Sequence, residues 1–183
     1  RLLVHIDDHA IEAARRLYGE VLPHGGAILD LMSSYRSHMP PELASTRLCG
    51  LGMNEEELRA NDQLTEYLVH DINAAAALPF RDDEFDGAVV TVSVQYMTKP
   101  LETFREVRRV LKPDALFILT YSNRMFPAKA VRIWRALDDR ERAGLIAAYF
   151  KHAGGFGEVR MEDRSIESGS GGDPLFAVWA RKE

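Results

Sequence analysis

Apolar residues recur at helical spacing from Ile11 through Ala14, Tyr18, Val21 and Leu22, after Asp7 and Asp8 offer an N-cap. Pro23-His24-Gly25-Gly26 stops that pattern, and the short apolar run Ala27-Ile28-Leu29-Asp30-Leu31-Met32 follows, read as a buried strand apolar on both faces. Pro40 and Pro41 open a short helical or irregular stretch before a second strand over Arg47 to Met53. Asn54, followed by three glutamates, caps a helix whose first turn carries the acids its dipole favours. A third strand is expected over Tyr67 to Ile72. Phe85 to Val94, rich in β-branched residues, is the clearest strand of the chain.

Pro100 to Lys112 predicts an amphipathic helix with Leu101, Phe104, Val107 and Leu111 on one face, and Pro113-Asp114 a turn into a fifth strand ending at Tyr121. Two helices follow, near Ala128 to Leu137 and from the Asp138-x-x-Glu141 capping box to Gly154-Gly155. Phe156 to Arg164 and Leu175 to Arg181 then read as two strands joined by the Gly/Ser segment Ser168 to Gly172. Strand-helix alternation predicts an α/β, doubly wound three-layer sandwich: a mostly parallel seven-stranded sheet closed by a C-terminal antiparallel hairpin.

The chain has 183 residues, the size of one domain, and 46% of them are hydrophobic. We expect a single domain over 1–183, with further residues before Arg1 because the chain does not begin with Met. A net charge of −5 argues against a nucleic-acid or anionic-membrane surface, and no apolar run approaches the roughly 20 residues of a membrane helix. One cysteine, Cys49, excludes an internal disulfide and fits a reducing, cytoplasmic location.

In such a sheet, ligands bind beyond the carboxyl ends of the strands, where strand order reverses. That rule nominates Asp30, Met32, Ser33 and Ser34 after the first strand, and Gly52, Met53 and Asn54 after the second. Asp71, Ile72 and Asn73 follow the third, and Ser93, Gln95 and Tyr96 end the fourth. Ser122, Asn123 and Arg124 close the set after the fifth. His5, Asp7 and His38 are further candidate bases. His5 and His9 stand four apart, but no third convergent ligand accompanies them, so no metal is expected. Arg105, Arg108, Arg109 and Lys112 read as the solvated face of a helix balanced by Glu102 and Glu106.

The stretch Asp71 to Asp114 contains Leu78-Pro79-Phe80, Phe85-Asp86 and Arg109-Val110-Leu111-Lys112-Pro113. On these residues the chain resembles the class I S-adenosylmethionine-dependent methyltransferases, in particular their broad small-molecule group. The resemblance implies a Rossmann-like methyltransferase fold, S-adenosylmethionine as cofactor and a small-molecule acceptor. It also implies a cofactor site over Asp30, Met32, Ser33, Ser34, Gly52, Met53, Asn54, Asp71, Ile72, Asn73, Ser93 and Val94. His38, Gln95, Tyr96 and Asn123 are candidate catalytic positions by residue type and place, and by the same resemblance the N-terminal helix is expected to close over the pocket.

Two departures stand out. The family's first turn has the form D-x-G-x-G-x-G, whereas Asp30-Leu31-Met32-Ser33-Ser34-Tyr35-Arg36 carries a side chain at every glycine position. The family's ribose-binding acid is replaced by Gly52. Each charge-assisted hydrogen bond lost there would cost about 1.5–3 kcal/mol. Three expectations therefore stand side by side: an active methyltransferase with a divergent loop, a methyltransferase-like binding or scaffold domain without catalysis, and a nicotinamide-dependent oxidoreductase. The last is disfavoured by the absence of G-x-G-x-x-G after the first strand.

Overall fold

The structure of this chain is a computed structural model that describes residues 6–166 and 171–183. Seven strands, β1 (Ala27–Leu31), β2 (Arg47–Gly52), β3 (Glu66–Val69), β4 (Phe85–Thr91), β5 (Leu111–Tyr121), β6 (Arg160–Asp163) and β7 (Phe176–Arg181), form one sheet in the order β3-β2-β1-β4-β5-β7-β6. β1 pairs in parallel with β2 and β4, and β4 with β5, whereas β7 runs antiparallel to both β5 and β6. Strand order reverses between β1 and β4, which makes the carboxyl ends of those two strands the expected ligand crevice.

Helix α1 (Asp8–Val21) and α2 (Glu55–Ala60) precede and follow the first two strands. Their capping follows the residues: the Asp7 carboxylate accepts from the Ala10 amide, and Asn54 Oδ1 accepts from the amides of Glu56 and Glu57. Helices α3 (Pro100–Val110), α4 (Arg132–Ala136) and α5 (Asp139–Ala153) lie later, and Asp138 and Glu141 form the capping box that opens α5.

Central strands feed two cores because successive side chains point to opposite faces. Phe117, Leu119 and Tyr121 of β5 pack with Phe104, Trp134, Ile146 and Phe150 on one face. Ile118 with Val89 and Ile28 packs against Leu17, Tyr18 and Ile11 of α1 on the other. Edge-to-face contacts at 4.9 Å join Phe104 to Phe117 and to Phe150, the geometry aromatic quadrupoles favour.

Several boundaries differ from the sequence-based expectation. β3 ends at Val69 rather than Ile72: after the His70 amide donates to the Gly52 carbonyl, the Asp71 carboxylate accepts from the Asn73 amide and turns the chain. β4 ends at Thr91 rather than Val94, because Val92 takes the left-handed conformation at φ 50° and Val94–Tyr96 form a 3-10 turn. A β-branched residue in that region costs on the order of 1–3 kcal/mol. Gln95 anchors the turn, its Nε2 donating to the Val92 carbonyl at 2.9 Å. α4 covers Arg132–Ala136, shorter than expected, and β6 covers Arg160–Asp163. Of the Gly/Ser segment between β6 and β7, Ser168, Gly169 and Ser170 lie outside the described residues.

Alternation of strand and helix also fails twice. No α-helix joins β1 to β2 or β3 to β4; the first connection, residues 32–46, holds only a 3-10 turn at Pro41–Leu43. A paired proline cannot donate to a helix interior, which accounts for the break.

Candidate functional site

Asp30 is the last but one residue of β1 and is buried. Both Ser33 Oγ and Ser37 Oγ donate to its Oδ2 at 2.6 Å. Burial pushes the Asp30 carboxyl up to about 6 even though both hydroxyls favour the ionised form. Asn61 completes the cluster: its Nδ2 donates to Ser37 Oγ and to the Ser34 carbonyl, each at 2.9 Å. Gln63 holds the same loop further along, donating to the Met39 carbonyl at 2.8 Å and accepting from the Met39 amide.

The turn after β1 keeps a glycine-like backbone without the glycine. Met32 has φ 58°, and the Ser33 amide then donates to the Leu51 carbonyl at 2.9 Å. This lays the loop across the end of β2. A Cβ built on Gly52 would fall 2.3 Å from the Ser33 carbonyl oxygen. Gly52 is thus the residue the folded-in loop requires, and a carboxylate at that position is incompatible with it.

The neighbouring strand ends are also occupied. Asn54, expected to face a ribose, spends its Oδ1 on capping α2. Met53 is 68% exposed, beside Asn54. The Asn73 side chain bridges to the turn after β4, donating to the Tyr96 carbonyl and accepting from the Thr98 amide. Ile72 and Val94 are buried in the core, and Ser93 Oγ donates to the Thr91 carbonyl. Tyr96 accepts from the Phe126 amide at 2.9 Å, tying the segment after β5 to this end of the sheet. Asn123 is exposed. At the ends of adjacent strands, the buried Gln95 Oε1 and Ser122 Oγ have no hydrogen-bond partner, and buried polar groups are normally paired.

Asp7, expected as a base, is a structural residue. Its carboxylate and amide exchange hydrogen bonds with those of Asp173, at 2.8 and 3.0 Å, and Asp173 in turn accepts from Arg124. The backbone amides of Ala10 and Asp173 hold the Asp7 carboxyl below the usual carboxylate range. His5 lies outside the described residues. His38 does not join the strand-end group: it lines a cleft with Arg15, Tyr35 and Arg36. Among the described residues no group of His, Cys, Asp and Glu is placed to hold a metal ion.

Of the basic run, Arg105 is exposed, whereas Arg108, Arg109 and Lys112 are tied to the protein. Arg109 donates to Glu106, Asp82 and the carbonyls of Leu78 and Phe80, so it fastens the β3–β4 connection. Arg108 donates to the Gly154 carbonyl, and Lys112 to Asp86. Sequence reasoning missed Ser37 and Asn61, whose roles arise only when the loop folds back. No local signal marks either.

A methyltransferase domain family model matches residues 34–119. The match begins beyond Asp30 and Met32, the first glycine-replaced position. Among curated relatives, Methyltransferase phqN of Penicillium fellutanum is 37% identical over 76 residues, 38% of this chain and 23% of that protein. The ubiquinone/menaquinone biosynthesis C-methyltransferase UbiE of a Ruegeria species is 37% identical over 62 residues, 33% of this chain and 25% of its own. The chain thus spans about a quarter or less of the curated relatives it matches. A solved structure of an S-adenosylmethionine-dependent methyltransferase from Thermotoga maritima, described as a possible histamine N-methyltransferase, superposes with a TM-score of 0.67 at 17% identity, over 96% of this chain and 90% of that one. Over residues 34–119 the chain is similar to the methyltransferase domain family, and its fold is that of solved S-adenosylmethionine-dependent methyltransferases.

Proposed function

We propose that this chain is an S-adenosylmethionine-dependent methyltransferase domain whose acceptor is a small molecule and whose cofactor site is covered by its own β1–β2 loop. The supporting observation is that a methyltransferase sequence match and the β3-β2-β1-β4-β5-β7-β6 strand order fall on one sheet. No helix among the described residues is long and apolar enough to cross a membrane. No nucleic-acid partner is proposed, because Arg108, Arg109 and Lys112 are engaged within the protein.

The residues fit the family's cofactor on one side only. Asp71 and Ile72 follow β3 where the resemblance puts adenine, and the part-exposed Asp71 carboxylate accepts from the Asn73 amide in its own turn. On the ribose and methionine side they do not fit in this conformation, since the Ser33 carbonyl fills the space a carboxylate at position 52 would need. Cofactor binding therefore requires the segment 32–37 to lift from Gly52, and apparent affinity is reduced by the fraction of molecules in which it has done so. S-adenosylmethionine supplies an electrophilic methyl group, so the protein's task is mainly to hold the acceptor in line. Gln95 Oε1 and Ser122 Oγ, unpartnered at the ends of β4 and β5, are the groups we assign to the acceptor's polar atoms.

The test is incubation of the protein with methyl-labelled cofactor and pooled low-mass acceptors. Label recovered in a low-mass product supports the reading; label recovered only in protein or nucleic acid, or in nothing, contradicts it. The closed loop favours a second reading, a methyltransferase-fold binding domain that has given up the cofactor. That reading predicts no cofactor binding at all.

A further inference from the structure

Where a crossover helix would ordinarily cover the β1–β2 connection, residues 32–46 run as a loop with one 3-10 turn. A cleft of about 560 Å3 lies against it, lined by Arg15 of α1, Tyr35, Arg36 and His38 of the loop, and Asp62 and Gln63 after α2. That volume lies within the range of small-molecule sites, about 300–1,000 Å3.

The wall is fixed. Asn61 fastens Ser34 and Ser37, Gln63 fastens Met39 on both its polar atoms, and His38 between them takes φ 55°. The lining is unsatisfied. His38 is only 8% exposed, yet its Nδ1 has no partner, and neither does the buried Arg15 Nε. Burial and the two guanidiniums push His38 down to about 4, so the imidazole is neutral near pH 7. Among the described residues, neither Arg15, Arg36 nor Asp62 forms an ion pair; the Arg36 guanidinium rests over the Tyr35 ring at 5.9 Å. Arg16, next in sequence, is by contrast paired with Glu12. Two unpaired guanidiniums beside a buried, neutral, unpartnered imidazole form an arrangement suited to an oxyanion, because the guanidinium fork matches carboxylate and phosphate geometry.

We propose that this cleft is a binding site for a small anionic ligand bearing a phosphate or carboxylate group. Arg15 and Arg36 flank the anion, His38 Nδ1 makes a hydrogen bond to it, and Tyr35 covers one side. Asp62 opposes the cations at the same cleft, so it selects ligands that also carry a hydroxyl or ammonium donor and disfavours extended polyanions. The site shares Tyr35 and Arg36 with the segment that covers the strand-end crevice, but it does not depend on methyl transfer.

The experiment is a titration of the whole chain with inorganic phosphate and, separately, with acetate, at ionic strength held constant with chloride and followed by amide and imidazole NMR shifts. We expect saturating shifts confined to residues 15, 34–39 and 60–63 for at least one of the two anions, and the arm that saturates identifies the group. R36A, which alters an exposed side chain, and R15Q are each expected to weaken binding about tenfold or more, corresponding to loss of a charge-assisted hydrogen bond. R36K is expected to recover only part of it, since a single ammonium lacks the fork. Shifts that rise linearly without saturation for both anions, or that are equal in the parent and in both arginine variants, would overturn the proposal.

Discussion

Alanine at Gly52 adds one carbon to the buried end of β2. That carbon would lie 2.3 Å from the Ser33 carbonyl oxygen and 3.3 Å from Leu58 Cδ2. The first obstacle is main chain, so no rotamer change clears it; either the segment 32–37 moves away or β2 shifts. Overpacking of this kind costs about 1–3 kcal/mol. For a chain of this size each kcal/mol lowers the melting temperature by about 2–4 °C, so G52A is expected to melt about 2–12 °C below the parent. G144A is the control: nothing lies within 4 Å of the carbon it adds on the exposed face of α5. Removal of a helical glycine there is expected to stabilise by about 0.5–1 kcal/mol. Thermal melts by circular dichroism, with urea unfolding to give ΔG, measure both. If G52A and the parent melt together, the loop is not seated on Gly52 and the account of a covered cofactor site is wrong.

Other consequences follow from the same cluster and its surroundings. The Asp30 carboxyl titrates at about 6 when folded and, in the unfolded chain, at its ordinary value near 3.8, so the folded state binds the extra proton between those values. Stability therefore falls as pH rises through that window, by on the order of 3 kcal/mol, and the loss is complete above it. D30N removes that component, and a ΔG–pH curve unchanged by the substitution would refute the burial of an ionisable group there. S37A deletes a donor to Asp30 and the acceptor of Asn61 Nδ2, and is expected to cost about 1–3 kcal/mol in urea unfolding. Because it loosens the covered loop, it is also expected to raise affinity for S-adenosylhomocysteine in calorimetry, whereas a purely structural role would leave affinity unchanged or lower. R109K leaves the carbonyls of Leu78 and Phe80 without their present donors and is expected to destabilise by about 1–3 kcal/mol, with increased proteolysis of residues 70–84 as the distinguishing readout.

Much of the scaffold was legible because its signals are local. The β-branched run from Phe85 names a central strand, Asp138 and Glu141 announce the start of α5, and Asp7 and Asn54 cap the helices they precede. Legibility fails where a conformation is set by distant partners. The 32–46 segment is shaped by Asp30, Asn61 and Gln63, and Ser37 gains its role by folding back on a residue seven positions earlier. The end of β4 was misplaced because Val92, by residue type a strand former, is held left-handed by the Gln95 side chain and the Thr120 carbonyl. At the site itself, the sequence marks Gly52 as a departure from the family pattern. It did not reveal that the space had been taken by Ser33, since that depends on the loop's path.

The central claim is that this domain still takes the family's cofactor despite the covered ribose position. Calorimetric titration of the purified chain with S-adenosylmethionine and S-adenosylhomocysteine, with NADH as control, tests it most directly. Saturable heat and a rise in melting temperature are expected with both sulfur nucleotides, and neither with NADH. The absence of heat and of any thermal shift up to millimolar nucleotide would contradict it.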